Sequence, residues 1–394
     1  MSGKRLSPKL LHTNLKHQLL ERAKELSRAK TASVGEATGA AASAASDASA
    51  TPEVASPSLI GGVISEQEIW ACTTCYACQE QCPVQNEHIN KIIDLRRNLV
   101  LMEGRFPKQA GLVFKNLEVN GNPLGESALI RGELLGRLGV PSIGQNPGAE
   151  ILYWPGCAGS LETRNQKVTT ALVNLLNAAG VSFAVLANEE KCCGEAARRL
   201  GNEYLYQTLA AGNIATLSGY EVKKIVTQCP HCFSTLKHEY PQLGGQLEVI
   251  HHTQFLAELV GSGRLKLGQP AETGQAEPKR VTYHDSCYLG RYNGLFDQPR
   301  QLLTAAGHDL VELPRRRQNA FCCGAGGGRM WLEKDEGERI NRIRIDEVLG
   351  VSPDIAAVAC PYCLTMLKDG VDDREAADRV RVMDVAEVLQ ASLQ

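Results

Sequence analysis

Residues 224–232 read Lys-Ile-Val-Thr-Gln-Cys-Pro-His-Cys, and residues 355–363 read Ile-Ala-Ala-Val-Ala-Cys-Pro-Tyr-Cys. Each is a short apolar run of buried-strand character that ends in a Cys-Pro-x-Cys group. Working outward, the same texture recurs. The run 151–154 leads to Cys157, which is followed by 34 residues and then Cys192-Cys193-Gly194. The run 280–284 leads to Cys287, which is followed by 34 residues and then Cys322-Cys323-Gly324. Copy and original are offset by 130 positions at the first two motifs and by 131 at Cys229/Cys360 and Cys232/Cys363. A fixed internal period of this kind marks two copies of one structural unit.

The segments between the cysteines alternate strand and helix patterns. Strands are expected at 151–154, 182–186, 224–227 and 247–250, with helices at 164–179 and 196–217 between them. After a Gly/Glu/Pro-marked break at 268–278, strands are expected at 280–284 and 355–359 and a helix at 330–348. This is the βαβ texture of a mostly parallel sheet. Ligands of open α/β sheets gather at the carboxyl ends of the strands, where every one of these cysteine groups sits. The five thiolates of each copy can therefore converge, and five are one too many for an ordinary cubane or for zinc. Gly194, Gly324 and the Gly324–Gly328 run would let the backbone come close to a bulky inorganic core and offer N–H donors to it. The two copies are expected to pack face to face about an approximate twofold.

The remaining cysteines form the run Cys72-x2-Cys75-x2-Cys78-x3-Cys82-Pro83. This is the bacterial ferredoxin spacing, in which three close thiolates wrap three corners of a cubane and the fourth ligates another cluster. A disulfide framework belongs to exported chains, and zinc sites space their ligand pairs farther apart. A helix-period stretch follows at 89–102, then Pro/Gly loops near 120–125. Upstream, Leu11, Leu15, Leu19 and Leu26 mark an amphipathic helix within residues 1–30, and an Ala/Ser/Thr/Gly-rich linker covers 31–60. The domain division is thus 1–30, 31–60, a 4Fe-4S module at 61–125, and cysteine-rich domains at 150–265 and 280–394. The fold class is α/β, a helical ferredoxin-like module followed by two tandem, pseudo-twofold-related α/β domains.

Composition narrows the function. The chain has 394 residues, 42 Lys plus Arg and 44 Asp plus Glu, so no global field favours nucleic acid. Aromatic residues are 5%, too sparse for single-strand stacking platforms. An apolar run near eighteen residues and a charged-then-apolar leader are both lacking, so the expectation is a cytoplasmic chain with reduced cysteines. His251, His252 and His284 are weaker candidates, better read as packing or capping residues. Arg315, Arg316 and Arg317 read as a solvated loop before they read as a dock for an acidic partner.

The two Cys-x34-Cys-Cys-Gly…Cys-Pro-x-Cys repeats resemble the cysteine-rich domains of heterodisulfide reductase catalytic subunits and of iron–sulfur subunits that oxidise glycolate, lactate and glycerol 3-phosphate. The phrases Trp70-Ala-Cys-Thr-Thr-Cys, Gly201-Asn-Glu-Tyr, Tyr283-His-Asp-Ser-Cys-Tyr-Leu-Gly and Cys322-Cys-Gly-Ala-Gly-Gly-Gly are most similar to the membrane-associated branch that couples an electron-transferring flavoprotein to quinone. The resemblance implies one noncubane [4Fe-4S] cluster on Cys157, Cys192, Cys193, Cys229 and Cys232 and a second on Cys287, Cys322, Cys323, Cys360 and Cys363, beside a cubane on the 72–82 run. It implies electron transfer, with a flavoprotein donor or acceptor and a quinone-reactive membrane subunit as partners, at the inner face of the membrane through such a partner. The alternative is an enzyme that cleaves a disulfide at a noncubane cluster. In that branch a first ferredoxin motif precedes a Gly-Lys-x-Leu-Ser-Pro phrase, and this chain opens Met1-Ser-Gly-Lys-Arg-Leu-Ser-Pro. The expectation is therefore a truncated or split chain in which Cys82 serves a cluster upstream, the competing reading being that Cys82 bends back to close the same cubane.

Overall fold

The protein is described by a computed structural model covering residues 3–36, 58–268, 278–332 and 337–393. In the first repeat β1 (Ile151–Trp154), β2 (Phe183–Ala184), β3 (Lys224–Thr227) and β4 (Glu248–His251) form a parallel sheet in the order β2-β1-β3-β4. In the second, β5 (Arg280–Tyr283), β6 (Asp309–Leu310), β7 (Ile355–Val358) and β8 (Arg381–Asp384) repeat it as β6-β5-β7-β8. Of the central strands β1 and β7 are buried along their length and β3 and β5 after their first residue, as in parallel sheets covered by helices on both faces.

The repeats pack reciprocally. Helix Thr163–Ala178, which follows β1, lies on Val385–Ala391, the last helix of the second repeat. Helix Gln298–Ala305, which follows β5, lies on His252–Gly261, the last helix of the first. Two equivalent contacts with the partners exchanged are the mark of a twofold. Arg164 crosses this interface to Glu387 at 2.8 Å and to the Val382 carbonyl at 2.9 Å, and His252 Nε2 meets Asp384 Oδ1 at 3.0 Å.

Several elements differ from the sequence reading. The helix expected over 196–217 is two helices, Glu195–Arg199 and Glu203–Gly219, parted by Gly201 at φ +93°. The helix expected over 330–348 begins only at Ile340, after a single turn at Arg329–Trp331, with 333–336 outside the described residues. Strands β6 and β8 and the helices Gln298–Ala305, Pro361–Asp373 and Val385–Ala391 have no counterpart among the expected elements.

The first helix runs Pro8–Glu36, past the linker start expected at 31; residues 37–57 of that linker lie outside the described residues. Leu11 is fully buried and Leu15 packs on the core, against the turn Leu59–Val63 and helix His88–Arg97, while Leu19 and Leu26 of the same stripe are exposed.

The segment carrying the 72–82 run is helical: Glu66–Ala71, Ala77–Glu80, His88–Arg97 and Lys108–Asn120. Arg96, on the third of these, fastens it to both repeats. Its fully buried guanidinium donates to the carbonyls of Ile69 (3.2 and 2.8 Å) and Cys72 (2.8 Å) in its own module. It also reaches Arg199 (2.8 Å) in the first repeat and Gly327 (2.8 Å) in the second.

The helix break at Gly201 is what lets the Arg199 carbonyl face Arg96. A Cβ at Gly201 would lie 2.5 Å from the Arg96 carbonyl carbon, and its φ is one that an L side chain rarely adopts. Gly201→Ala should therefore lower unfolding stability by at least about 2 kcal/mol in urea denaturation. A loss below about 0.5 kcal/mol, the scale of an ordinary surface substitution, would contradict this account of the break.

Candidate metal centres

Cys157, Cys229, Cys287 and Cys360 stand just past the ends of the parallel strands β1, β3, β5 and β7, whereas the Cys-Cys pairs 192–193 and 322–323 lie in loops well beyond β2 and β6. Cys157 lies in the short helix after β1. Cys192 and Cys193 precede helix Glu195–Arg199. Cys229 caps the helix that Pro230 opens after β3, and Cys232 lies in its first turn. Proline at this first helical position removes an N–H that would have no partner there. All five line one enclosed cavity together with Glu195, His231 and Tyr362. Their thiols touch in series, Cys157 to Cys192 to Cys193 to Cys232 to Cys229.

The second repeat repeats the chain of contacts: Cys287 to Cys322, Cys322 to Cys323, Cys323 Sγ to Cys363 Sγ at 3.4 Å, and Cys363 to Cys360. The backbone N–H two residues on donates to sulfur in both copies, Gly194 to Cys192 at 3.5 Å and Gly324 to Cys322 at 3.2 Å. Neighbouring S–H groups at Cys192 and Cys232 bring the Cys193 thiol down to about 7 against its burial. Neighbouring thiols likewise raise Cys157 and Cys287, and burial adds to this.

The 72–82 loop is pressed against the second group. Cys75 touches Cys322, and Cys322 Sγ lies 3.7 Å from Thr73 Oγ1. Gly326 and Gly327 of the glycine run seat against this loop: a Cβ at either would fall 2.4 and 2.6 Å from the carbonyl oxygens of Thr73 and Cys72. Thr74 and Tyr76 take φ of 49° and 67°, a conformation that costs roughly 1–3 kcal/mol per residue and is held only by firm surroundings. Those surroundings are Arg291 Nε on the Cys75 carbonyl (2.7 Å), the Tyr292 hydroxyl on the Thr74 carbonyl (2.8 Å), and Thr74 Oγ1 with the Tyr288 hydroxyl (2.9 Å). Cys72, Cys75 and Cys78 share one electrostatic neighbourhood, and the Cys78 thiol is pushed up to about 12 by burial and then by the other two. Cys82 Sγ accepts the N–H of Asn86 at 3.3 Å.

The variable residue of each Cys-Pro-x-Cys crosses to the other repeat. His231 hydrogen-bonds Cys360 and, through Nδ1, Glu195 at 3.0 Å, while Tyr362 lines the cavity of the first group. They belong to a column of rings, Tyr76–Tyr292 (5.0 Å), Tyr292–Tyr288 (4.3 Å), Tyr288–His231 (4.0 Å), His231–Tyr362 (4.7 Å) and Tyr362–Trp331 (5.7 Å), which passes all three cysteine groups.

All fourteen cysteines are unbridged. An iron–sulfur cluster on thiolates is an anion, and the residues around them fit one. Sulfur-directed N–H groups are in place, Arg96 is buried beside Cys72 with its N–H groups on carbonyls, and Arg291 Nη2 is buried with no oxygen or nitrogen partner beside Cys75, Cys287 and Cys322.

Of the weaker candidates, His251 caps helix His252–Gly261 and His252 joins the repeats. His284 accepts from Arg344 Nε at 3.0 Å and lies within 4.8 Å of the Cys323 and Cys363 sulfurs. The arginine triad is engaged inside the chain: Arg315 pairs with Glu347, Arg316 with Glu312 and Arg317 with Asp297. Sequence reasoning missed Arg96, Arg291, His231, Tyr288 and Tyr362. For His231 and Tyr362 the matching position in the two Cys-Pro-x-Cys groups was a usable signal.

The family described as "Cysteine-rich domain" matches twice, at 151–237 and 281–368. The whole chain is 45% identical to 56% of the EtfAB:quinone oxidoreductase of Syntrophomonas wolfei, and 45% identical to 57% of the probable iron-sulfur-binding oxidoreductase FadF of Bacillus subtilis. It thus spans about half the length of these relatives. Over 83% of its length it is 31% identical to 78% of a dihydromethanophenazine:CoB–CoM heterodisulfide reductase subunit of Methanosarcina barkeri. With two cysteine-rich domains of one topology and a match that spans most of that archaeal protein, the chain belongs to the heterodisulfide reductase-like family of iron–sulfur oxidoreductases.

Proposed function

We propose that the chain passes electrons between a flavoprotein and a quinone-side partner through three iron–sulfur centres. Cys157, Cys192, Cys193, Cys229 and Cys232 hold one noncubane [4Fe-4S] cluster. Cys287, Cys322, Cys323, Cys360 and Cys363 hold the other. Cys72, Cys75 and Cys78 hold three corners of a cubane, and Cys82 is its fourth ligand or serves a neighbouring cluster. The partner classes rest on the relative named for EtfAB and quinone. Contact with quinone is assigned to a quinone-reactive membrane partner, at the inner face of the membrane; among the described residues no helix is long and apolar enough to cross a membrane.

The observation that carries this reading is the continuity of the buried interior: the 72–82 loop touches the second group, and His231 and Tyr362 fill the space between the second group and the first. Close, buried spacing suits electron transfer. A disulfide drawn to either five-cysteine group would have to displace His231 or Tyr362, which argues against turnover of such a substrate.

Anaerobic reconstitution should give about twelve irons per chain with matching sulfide, as for three four-iron clusters. Cys323→Ser should lose about a third of that iron and leave the signal that Cys193→Ser removes; about four irons in all, or zinc, would contradict the assignment. In stopped-flow mixing, a reduced electron-transferring flavoprotein should bleach the cluster absorption within the first turnover, while a CoB–CoM heterodisulfide added to the reduced chain should release no thiol. Catalytic thiol release would favour the disulfide-cleaving reading instead.

A further inference from the structure

The sequence makes the two five-cysteine groups equivalent, but their buried charges are not. Around the first group each buried cation faces an acid. Arg131 lies 3.5 Å from Glu190, with both side chains at most 2% exposed, and Arg199 lies 3.5 Å from Glu195 and pairs with Glu239. His231 meets the same Glu195 at 3.0 Å. Glu195 and Glu239 thus compensate the positive charge on that side, and Glu190, which burial pushes up to about 7, does so in part.

Where the 72–82 loop meets the second group, two arginines have no such partner. Every hydrogen bond of Arg96 ends on a backbone carbonyl. Arg291 donates to the carbonyls of Cys75 (2.7 Å), Gln318 (3.3 Å) and Ala320 (2.9 Å), and its buried Nη2 has no oxygen or nitrogen partner, the guanidinium meeting the Cys75 thiol instead. The ionisable side chains that act on Arg96 include Cys72, Tyr288 and the cation Arg329, and those that act on Arg291 include the thiols of Cys287, Cys75 and Cys322; none of these is a carboxylate. The remaining buried arginines near this group, Arg300 and Arg344, are neutralised by Asp285 with Glu312 and by Glu347.

Reducing an iron–sulfur centre adds negative charge. A cation held in low dielectric favours the reduced form, and net charge and hydrogen bonding around the sulfurs set the potential. We propose that Arg291 and Arg96 are positioning cations that raise the reduction potential of the cubane and of the second group's centre above that of the first group's. An electron shared among the three centres then rests at the junction of the 72–82 loop with the second repeat, and the first group is the strongly reducing end. One electron is redistributed within one chain, so no outside oxidant is involved. This rests on the cluster assignment proposed above.

The test is a redox titration of the full chain, reconstituted anaerobically and followed by electron paramagnetic resonance, with centres identified by the signals that Cys193→Ser and Cys323→Ser remove. In the unmodified chain the second group's signal should appear at higher potential than the first group's. Arg291→Met should shift the cubane and second-group midpoints to lower potential and leave the first group's in place with unchanged iron, while Arg291→Lys, which keeps the charge, should shift them less. Reduction of the first group before the second, or a common shift of all three midpoints in Arg291→Met, would overturn the proposal. The order in the unmodified chain decides the matter even where Arg291→Met fails to fold. Iron well short of three centres overturns the cluster assignment itself. An ordered set of midpoints in a chain that exchanges no electrons with a flavoprotein overturns the proposed function while leaving this inference standing.

Discussion

A single buried guanidinium sets how the three parts of this protein meet. Arg96 reaches carbonyls in the cysteine-bearing module, in the first repeat and in the second. Carbonyls alone do not neutralise a charge, and leaving one uncompensated in the interior costs several kcal/mol. Burial accordingly brings Arg96 down to about 10, with Cys72 the principal opposing charge. Negative charge at the Cys72 loop would offset that cost. The packing of the modules and the chemistry of the thiolates are therefore one problem: under the proposed assignment, a cluster anion on the loop would also be the counter-ion of the residue that docks the loop.

The twofold between the repeats solves a second difficulty. A parallel sheet gathers its ligands at one end of the strands, and that end is open unless another element covers it. Here each repeat covers the other. The residue between proline and cysteine in Cys-Pro-x-Cys is carried outward at the start of a helix, and from there it reaches the partner group. His231 goes to Cys360 and Tyr362 to the cavity of Cys157 and Cys192. Exchange of these two side chains sets a ring from each repeat against the other's cysteine group, and His231 keeps its hydrogen bonds there.

The legible parts of the sequence were those with strong local signals. Runs such as Ile151–Trp154 and Ile355–Val358 are apolar throughout because both faces of the sheet are covered, and the cysteine register exposed the duplication directly. The two-residue strand Asp309–Leu310 was too short to show a period, and Gln298–Ala305 and Val385–Ala391 span barely two turns. Gly201 falls inside the one long helix expected over 196–217; its need arises from Arg96, more than a hundred positions upstream, and no window of local sequence contains both. Arg291 was invisible for a related reason. A charged residue reads as solvated, and only the fold reveals that it points at Cys75, Cys287 and Cys322.

A duplicated protein with a third module attached cannot remain symmetric at its chemistry. The module carries one 72–82 run, so it can lay its cysteines against only one of the two five-cysteine groups. The glycine run 326–328 decides which. Gly326 and Gly327 take the loop backbone at distances a Cβ would forbid, and the first repeat has Ala196 and Ala197 at the matching positions after its Cys-Cys-Gly. The first repeat offers Arg96 its Arg199 carbonyl, while the second offers Arg96 the Gly327 carbonyl and meets Cys75 of the loop through Cys322. Once that contact is fixed, the order of the three groups along the interior follows: the loop, then the second repeat, then the first across His231 and Tyr362. Repetition in the sequence thus supplies two similar sites, and the small residues of one copy give them unlike neighbours.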